Sequence, residues 1–161
     1  MMTNKVLTAD PKKCTGCRSC EIACSLKHAR VSSPDRSRIR VVNLKPARHF
    51  LPVACQHCED APCLKACPQE AISRDADLAQ VVIDYTRCVG CRTCFFACPF
   101  GAMQFDGDRG RPFKCDLCGG EPLCVAICED DALAFTDPTA VSYPRARATA
   151  RIYKRAINRN I

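Results

Sequence analysis

Sixteen cysteines dominate this chain of 161 residues, and they fall into four groups of four with none left over. The groups are Cys14, Cys17, Cys20, Cys24; Cys55, Cys58, Cys63, Cys67; Cys88, Cys91, Cys94, Cys98; and Cys115, Cys118, Cys124, Cys128. A thiolate can act as a nucleophile or as a soft metal ligand. A redox-active CxxC pair uses two cysteines and leaves the rest idle, so thiol catalysis fails on number. Metal ligation uses them all. The first and third groups read CxxCxxCxxxC, the second CxxCxxxxCxxxC and the fourth CxxCxxxxxCxxxC.

These spacings suit cubane iron-sulfur clusters, and the third group, with Pro99 behind its last cysteine, is the run that ligates them in bacterial ferredoxins. Three thiolates must reach three irons of one compact cluster, so a tight loop with cysteines three apart wraps the backbone around it. A fourth cysteine, four residues on, lies one turn along a short helix and reaches a neighbouring cluster. Groups must therefore work in pairs. Zinc sites usually join two separated CxxC knuckles instead of crowding four thiols into one short loop. A disulfide framework would suit a secreted chain, yet Met1-Met2-Thr3-Asn4-Lys5 runs into polar residues with no apolar signal core.

Short strands are expected to bracket the cluster loops: Val6 to Ala9, Arg36 to Leu44, His49 to Ala54, Val81 to Asp84, Ala102 to Phe105 and Leu133 to Phe135. Brief helices should begin near the third cysteine of each group, two of them stopped by Pro68 and Pro99. That is an α+β arrangement. Cys63–Ile72 and Cys94–Met103 align without a gap as Cys-x-x-Ala-Cys-Pro-x-x-Ala-apolar, and Cys124–Leu133 is a third copy with Glu129 in place of proline. A period matching one cluster loop indicates duplication. Glu129 leaves the end of the fourth helix open. Gly107 to Gly110 reads as a turn, and Gly119-Gly120 as spacing inside the fourth loop.

Aromatic residues make up only 6% of the chain and tryptophan is absent, which leaves little side chain for a large core. Clusters must replace part of it, and the metal-free chain should be poorly folded. The net charge of +7 counts cysteines as neutral. Four oxidised cubanes with their thiolates contribute roughly minus eight, so the loaded protein is near neutral and the charge is no argument for nucleic acid. Lys12, Lys13, Arg18, Lys65, Arg87, Arg92 and Lys114 lie within or beside the groups, where positive charge offsets the clusters if the side chains are not simply solvated. Of the three histidines, His57 sits between Cys55 and Cys58, where it is expected to hydrogen-bond or pack beside a cluster, and His28 and His49 are expected at the surface or an interface. The alternating basic and apolar residues after Tyr143-Pro144 read as a basic helix for docking or solvation. There is no phosphate loop, dinucleotide fingerprint or run of about twenty apolar residues.

The runs CTGCRSCEIAC, CQHCEDAPCLKACP, CVGCRTCFFACPFGAM and KCDLCGGEPLCVAIC, in that order, resemble the four-cluster iron-sulfur subunits of dimethyl sulfoxide reductase type enzymes. That group includes similar polyferredoxin subunits of formate dehydrogenases, hydrogenases, carbon monoxide dehydrogenases and tungsten aldehyde oxidoreductases. The resemblance spans about residues 5 to 136. It implies four [4Fe-4S] clusters in two interleaved bacterial-ferredoxin-like modules. An outer module, 1–49 plus 107–138, would pair Cys14, Cys17, Cys20 with Cys128, and Cys115, Cys118, Cys124 with Cys24. An inner module, 50–106, would pair Cys55, Cys58, Cys63 with Cys98, and Cys88, Cys91, Cys94 with Cys67, leaving 139–161 as a basic extension. The implied role is a non-catalytic, cytoplasmic electron-transfer subunit without a membrane anchor. A catalytic oxidoreductase subunit, favoured as a tungsten or molybdenum pterin enzyme such as an aldehyde oxidoreductase, and a second redox protein would be its partners. A hydrogenase or carbon monoxide dehydrogenase partner, a free or self-associating polyferredoxin wire, and a zinc-stabilised interaction module are the alternatives.

Overall fold

Four antiparallel strand pairs carry the cluster loops. The structure is a computed structural model and describes residues 5–44, 49–77 and 79–140. The expected basic helix after Tyr143 lies outside the described residues. Strand β1 (Val6–Ala9) pairs with β8 (Leu133–Thr136), so the two ends of the cysteine-bearing region close on each other with Leu7 opposite Phe135. The others are hairpin-like: β2 (Ile39–Leu44) with β3 (His49–Ala54), β4 (Ile72–Arg74) with β5 (Val81–Ile83), and β6 (Gln104–Asp106) with β7 (Arg111–Phe113). Strand β2 starts later than its apolar pattern suggested, because Pro34–Arg36 winds into a single 3-10 turn. The turn between β6 and β7 contains Gly107 and Gly110, as expected.

Helices begin where the third cysteine falls. They are α1 (Ser19–Ala29), α2 (Pro62–Lys65), α3 (Thr93–Ala97) and α4 (Leu123–Ala126), and each holds the third cysteine of its group in its first turn. Two starting devices alternate along the chain. In the tightly spaced groups, Arg18 and Arg92 adopt left-handed conformations at the helix start, with φ of 62° and 66°. The two widened groups use proline instead, Pro62 at the first helical position and Pro122 just before it, where the fixed φ suits a helix and no amide hydrogen is missed. Helices of four or five residues are too short to persist alone. Tertiary packing and bound metal must hold them.

Pro68 and Pro99 follow the ends of α2 and α3, and Cys98 before Pro99 is extended, as a residue preceding proline should be. Helix α4 stops at Ala126 without a proline, which answers the question raised by Glu129. Helix α1 is longer than expected because Cys20, Ala23 and Cys24 form a buried face at helical spacing while Ile22 and Leu26 stay exposed. Two small cores result. One joins Leu7, Ile39, Val41, Ala54, Leu117 and Leu133 to Cys20, Cys24, Cys115 and Cys124. The second joins Ala61, Ile72, Val81 and Met103 to Cys94. Cysteine sulfur is thus part of both cores.

Candidate metal centres

One backbone device recurs in every loop. The residue just before the second cysteine has a positive φ in all four groups: Gly16 at 78°, His57 at 47°, Gly90 at 70° and Leu117 at 53°. A left-handed residue turns the chain so that successive amides point inward, the arrangement that makes a concave anion site. Glycine serves where space is also short, since a methyl at Gly90 would overlap the Gly110 carbonyl oxygen and one at Gly16 would meet the Phe50 ring. The extra residue of the fourth group is absorbed by a run of left-handed residues, Leu117 to Gly120.

The loops then donate hydrogen bonds to sulfur. Ala71 N–H donates to Cys67 Sγ at 3.3 Å, Leu117 N–H to Cys115 Sγ at 3.4 Å, and Arg38 N–H reaches Cys24 Sγ at 3.3 Å from outside the loop. Backbone and hydroxyl donors at Ser19 pull the exposed Cys17 thiol below its ordinary value, and the hydroxyl and amide of Thr93 do the same for Cys91. Burial works the other way: it pushes Cys20, Cys115 and Cys124 up to about 12 and Cys94 up to about 11. Such thiols stay protonated near neutrality unless a metal displaces the proton.

Two cavities have walls of sulfur. One is lined by Cys67, Cys88, Cys91 and Cys94 with Ile72, Ile83 and Pro112. The other is lined by Cys55, Cys58, Cys63 and Cys98 with Val81, Met103 and Lys114. Each therefore takes three cysteines from one group and the last cysteine of another. In the remaining groups, the raised value of Cys14 arises first from burial and then from nearby Cys17 and Cys128. That of Cys124 arises from burial and then from Cys115, Cys118, Cys24 and Cys20.

These donors fit an iron-sulfur cluster. Four sulfurs converge on an otherwise mostly apolar space, amides donate to sulfur, and His57 Nε2 is buried without a hydrogen-bond partner among the described residues. Val81 N–H donates to His57 Nδ1 at 3.0 Å, so the neutral ring carries its hydrogen on Nε2. Burial and the nearby Lys114 and Arg74 push His57 down to about 3, which keeps it neutral. His57 is half-buried within its loop, and His49 is exposed. His28 sits deeper than a surface residue. Its Nε2 lies 3.6 Å from Cys118 Sγ and 3.5 Å from Asp116 Oδ1. Asp116 in turn pairs with Arg38. No local pattern announces this trio, because His28 lies 90 residues before Cys118 in sequence.

Thiol loops, short strands and sulfur-walled cavities define a ferredoxin-type iron-sulfur electron carrier. The chain belongs to the 4Fe-4S dicluster domain family, whose model matches residues 46–138. It is 43% identical to the polyferredoxin-like subunit of aliphatic sulfonate oxidoreductase from Pyrococcus furiosus, over 74% of this chain and 69% of that protein. It is 34% identical to the electron transport protein HydN of Escherichia coli, over 93% of this chain and 99% of that one. With the thiosulfate reductase electron transfer subunit PhsB of Salmonella typhi it shares 36% identity over 83% of this chain and 77% of the relative. These relatives are named as electron carriers, not as catalysts, and this chain is likewise a 4Fe-4S electron-transfer subunit of an oxidoreductase complex. Among the described residues no helix is long and apolar enough to cross a membrane.

Proposed function

We propose that the chain is a relay of four [4Fe-4S] clusters between a catalytic oxidoreductase subunit and a second redox protein. Its ligand sets are Cys14, Cys17, Cys20 with Cys128; Cys115, Cys118, Cys124 with Cys24; Cys55, Cys58, Cys63 with Cys98; and Cys88, Cys91, Cys94 with Cys67. The observation that carries this reading is the pair of cavities in which three sulfurs of one group meet the last sulfur of its partner. When bound, the clusters supply one-electron carriers. The chain's own residues hold them in series, shield the inner ones with apolar walls and donate N–H groups to their sulfurs.

Neighbouring thiols support a linear order. Cys20 lies within electrostatic reach of Cys124, Cys115 of Cys55, and Cys63 of Cys94. The sequence of centres is then first group, fourth, second, third, with an outer module of 1–49 plus 107–138 and an inner one of 50–106. At the two ends Cys17 and Cys91 are exposed, and in the third group's segment Val89 at 66% and Phe96 at 80% exposure offer apolar surface suited to a protein partner. The names of the relatives support a catalytic partner within one complex. That partner is a tungsten or molybdenum pterin enzyme of the aldehyde oxidoreductase type, in the cytoplasm, where thiols stay reduced for cluster assembly.

Double variants test the crosswise ligands. Cys55→Ala with Cys98→Ala removes two ligands of one cluster, so the anaerobically reconstituted protein should keep about twelve of sixteen irons. Cys88→Ala with Cys98→Ala strikes two clusters and should leave about eight. The reverse order would show that each group feeds only its own cluster. Purification of the native complex with metal analysis tests the partner, and nickel without tungsten or molybdenum would overturn that assignment.

A further inference from the structure

Seven basic side chains lie within or beside the cysteine groups, and six of them, Lys12, Lys13, Arg18, Lys65, Arg87 and Arg92, are exposed. Lys114 is different, at 4% exposure. It follows β7, and its ammonium donates to the Cys115 carbonyl oxygen at 2.9 Å. An ammonium carries three donors. Among the described residues Lys114 forms no ion pair with a carboxylate. The carboxylate closest in sequence, Asp116, spends its oxygens on Arg38, His28 and the Cys118 N–H. A buried cation without an anion is costly enough that such charges are normally paired or bound to a metal centre.

The surroundings supply the missing anion. Lys114 lines the cavity formed by Cys55, Cys58, Cys63 and Cys98, and its charge acts on the sulfurs of Cys55, Cys63 and Cys115. It therefore stands between the second and fourth cysteine groups, in the middle of the relay. We infer that Lys114 is the buried counter-ion of the cluster in the Cys55, Cys58, Cys63, Cys98 cavity, raising the reduction potential of that centre so that electrons settle in the interior of the relay. This rests on the ligand assignment above. The oxidised cluster with its four thiolates carries about two negative charges, and one electron adds a third, so a fixed cation stabilises the reduced form more. Water cannot screen a side chain this deeply buried as it screens the six exposed ones.

Redox titration of the anaerobically reconstituted protein, followed by electron paramagnetic resonance, tests the inference. Lys114→Gln keeps a donor for the Cys115 carbonyl and removes the charge, while Lys114→Arg keeps the charge. One unit charge at this depth is expected to change the reduction equilibrium by about tenfold, equivalent to about 59 mV for a one-electron couple. One midpoint should fall by about that much in Lys114→Gln, with smaller shifts elsewhere, and Lys114→Arg should stay near the parent. Loss of iron from Lys114→Gln with full loading of Lys114→Arg would show the same compensation as affinity and support the role. Unchanged midpoints in a fully loaded Lys114→Gln, equal shifts in both variants, or loss of iron from both would reduce Lys114 to a packing residue and overturn it. A parent protein lacking iron would sink the ligand assignment instead, so the two failures are distinguishable.

Discussion

The left-handed residue before each second cysteine can be tested at Gly90, because Gly101 provides a control in the same module. Both glycines have positive φ, 70° and 60°. They differ in what a methyl group would meet: at Gly101 nothing lies within 4 Å, whereas at Gly90 the Gly110 carbonyl oxygen of the β6–β7 turn blocks the way. Left-handed backbone costs an L-residue about 1–2 kcal/mol, so Gly101→Ala should destabilise by that amount alone. Gly90→Ala carries the same cost plus the displacement of a backbone carbonyl, and forced overpacking typically adds about 1–3 kcal/mol. The total is about 2–5 kcal/mol. Anaerobic guanidinium titration of the reconstituted variants, read by circular dichroism and visible absorption, measures both. Gly90→Ala should unfold at clearly lower denaturant and bleach first. Equal midpoints for the two variants would refute the claim that close approach, and not backbone freedom alone, selects glycine at this point of the loop.

Two further outcomes follow from burial. Ile39 is 1% exposed in the first core, so Ile39→Ala should cost about 2–5 kcal/mol in the same titration, with little change if the hairpin contributes nothing to the fold. The thiols of Cys20, Cys94, Cys115 and Cys124 are raised in the fold above their ordinary value of 9.0, to about 11 or 12. A raised folded value means that the unfolded chain loses its protons first. Any native-like structure of the metal-free protein should therefore hold below pH 9 and be lost as pH climbs from 9 towards 12, by circular dichroism.

Much of this was legible in the chain because iron-sulfur ligation is local. Three cysteines within a few residues specify a loop, and each helix begins at the third cysteine as the spacing requires. Six strands fall on or overlap short apolar runs such as Val81-Val82-Ile83, whereas β4 and β7, which lack such a run, were not expected. Long-range contacts left no such trace. Arg38 N–H donates to Cys24 and its guanidinium meets Asp116, yet nothing near Arg38 in sequence marks it as a neighbour of two cysteine groups. The surroundings of His28 left no such trace either, since they are built by the fourth loop. The seven basic residues looked alike in sequence, and only burial separates Lys114 from the others.

Burial also explains why the four centres of the proposed relay are not equivalent. The third cysteine of a group sits in the first turn of its helix, and the helix packs against its partner group, as α1 does on α4 and α2 on α3. That cysteine is buried in three of the four groups, at Cys20, Cys94 and Cys124. The second cysteine lies at the outer bend of the loop, and in the groups at the two ends of the series, Cys17 and Cys91, it is exposed. Duplicating one loop therefore produces a protected interior and two open ends without any dedicated gate. Electrons arriving from outside would meet Cys17 or Cys91 first, and the charge of Lys114, fixed midway between them, would act on whatever the interior holds.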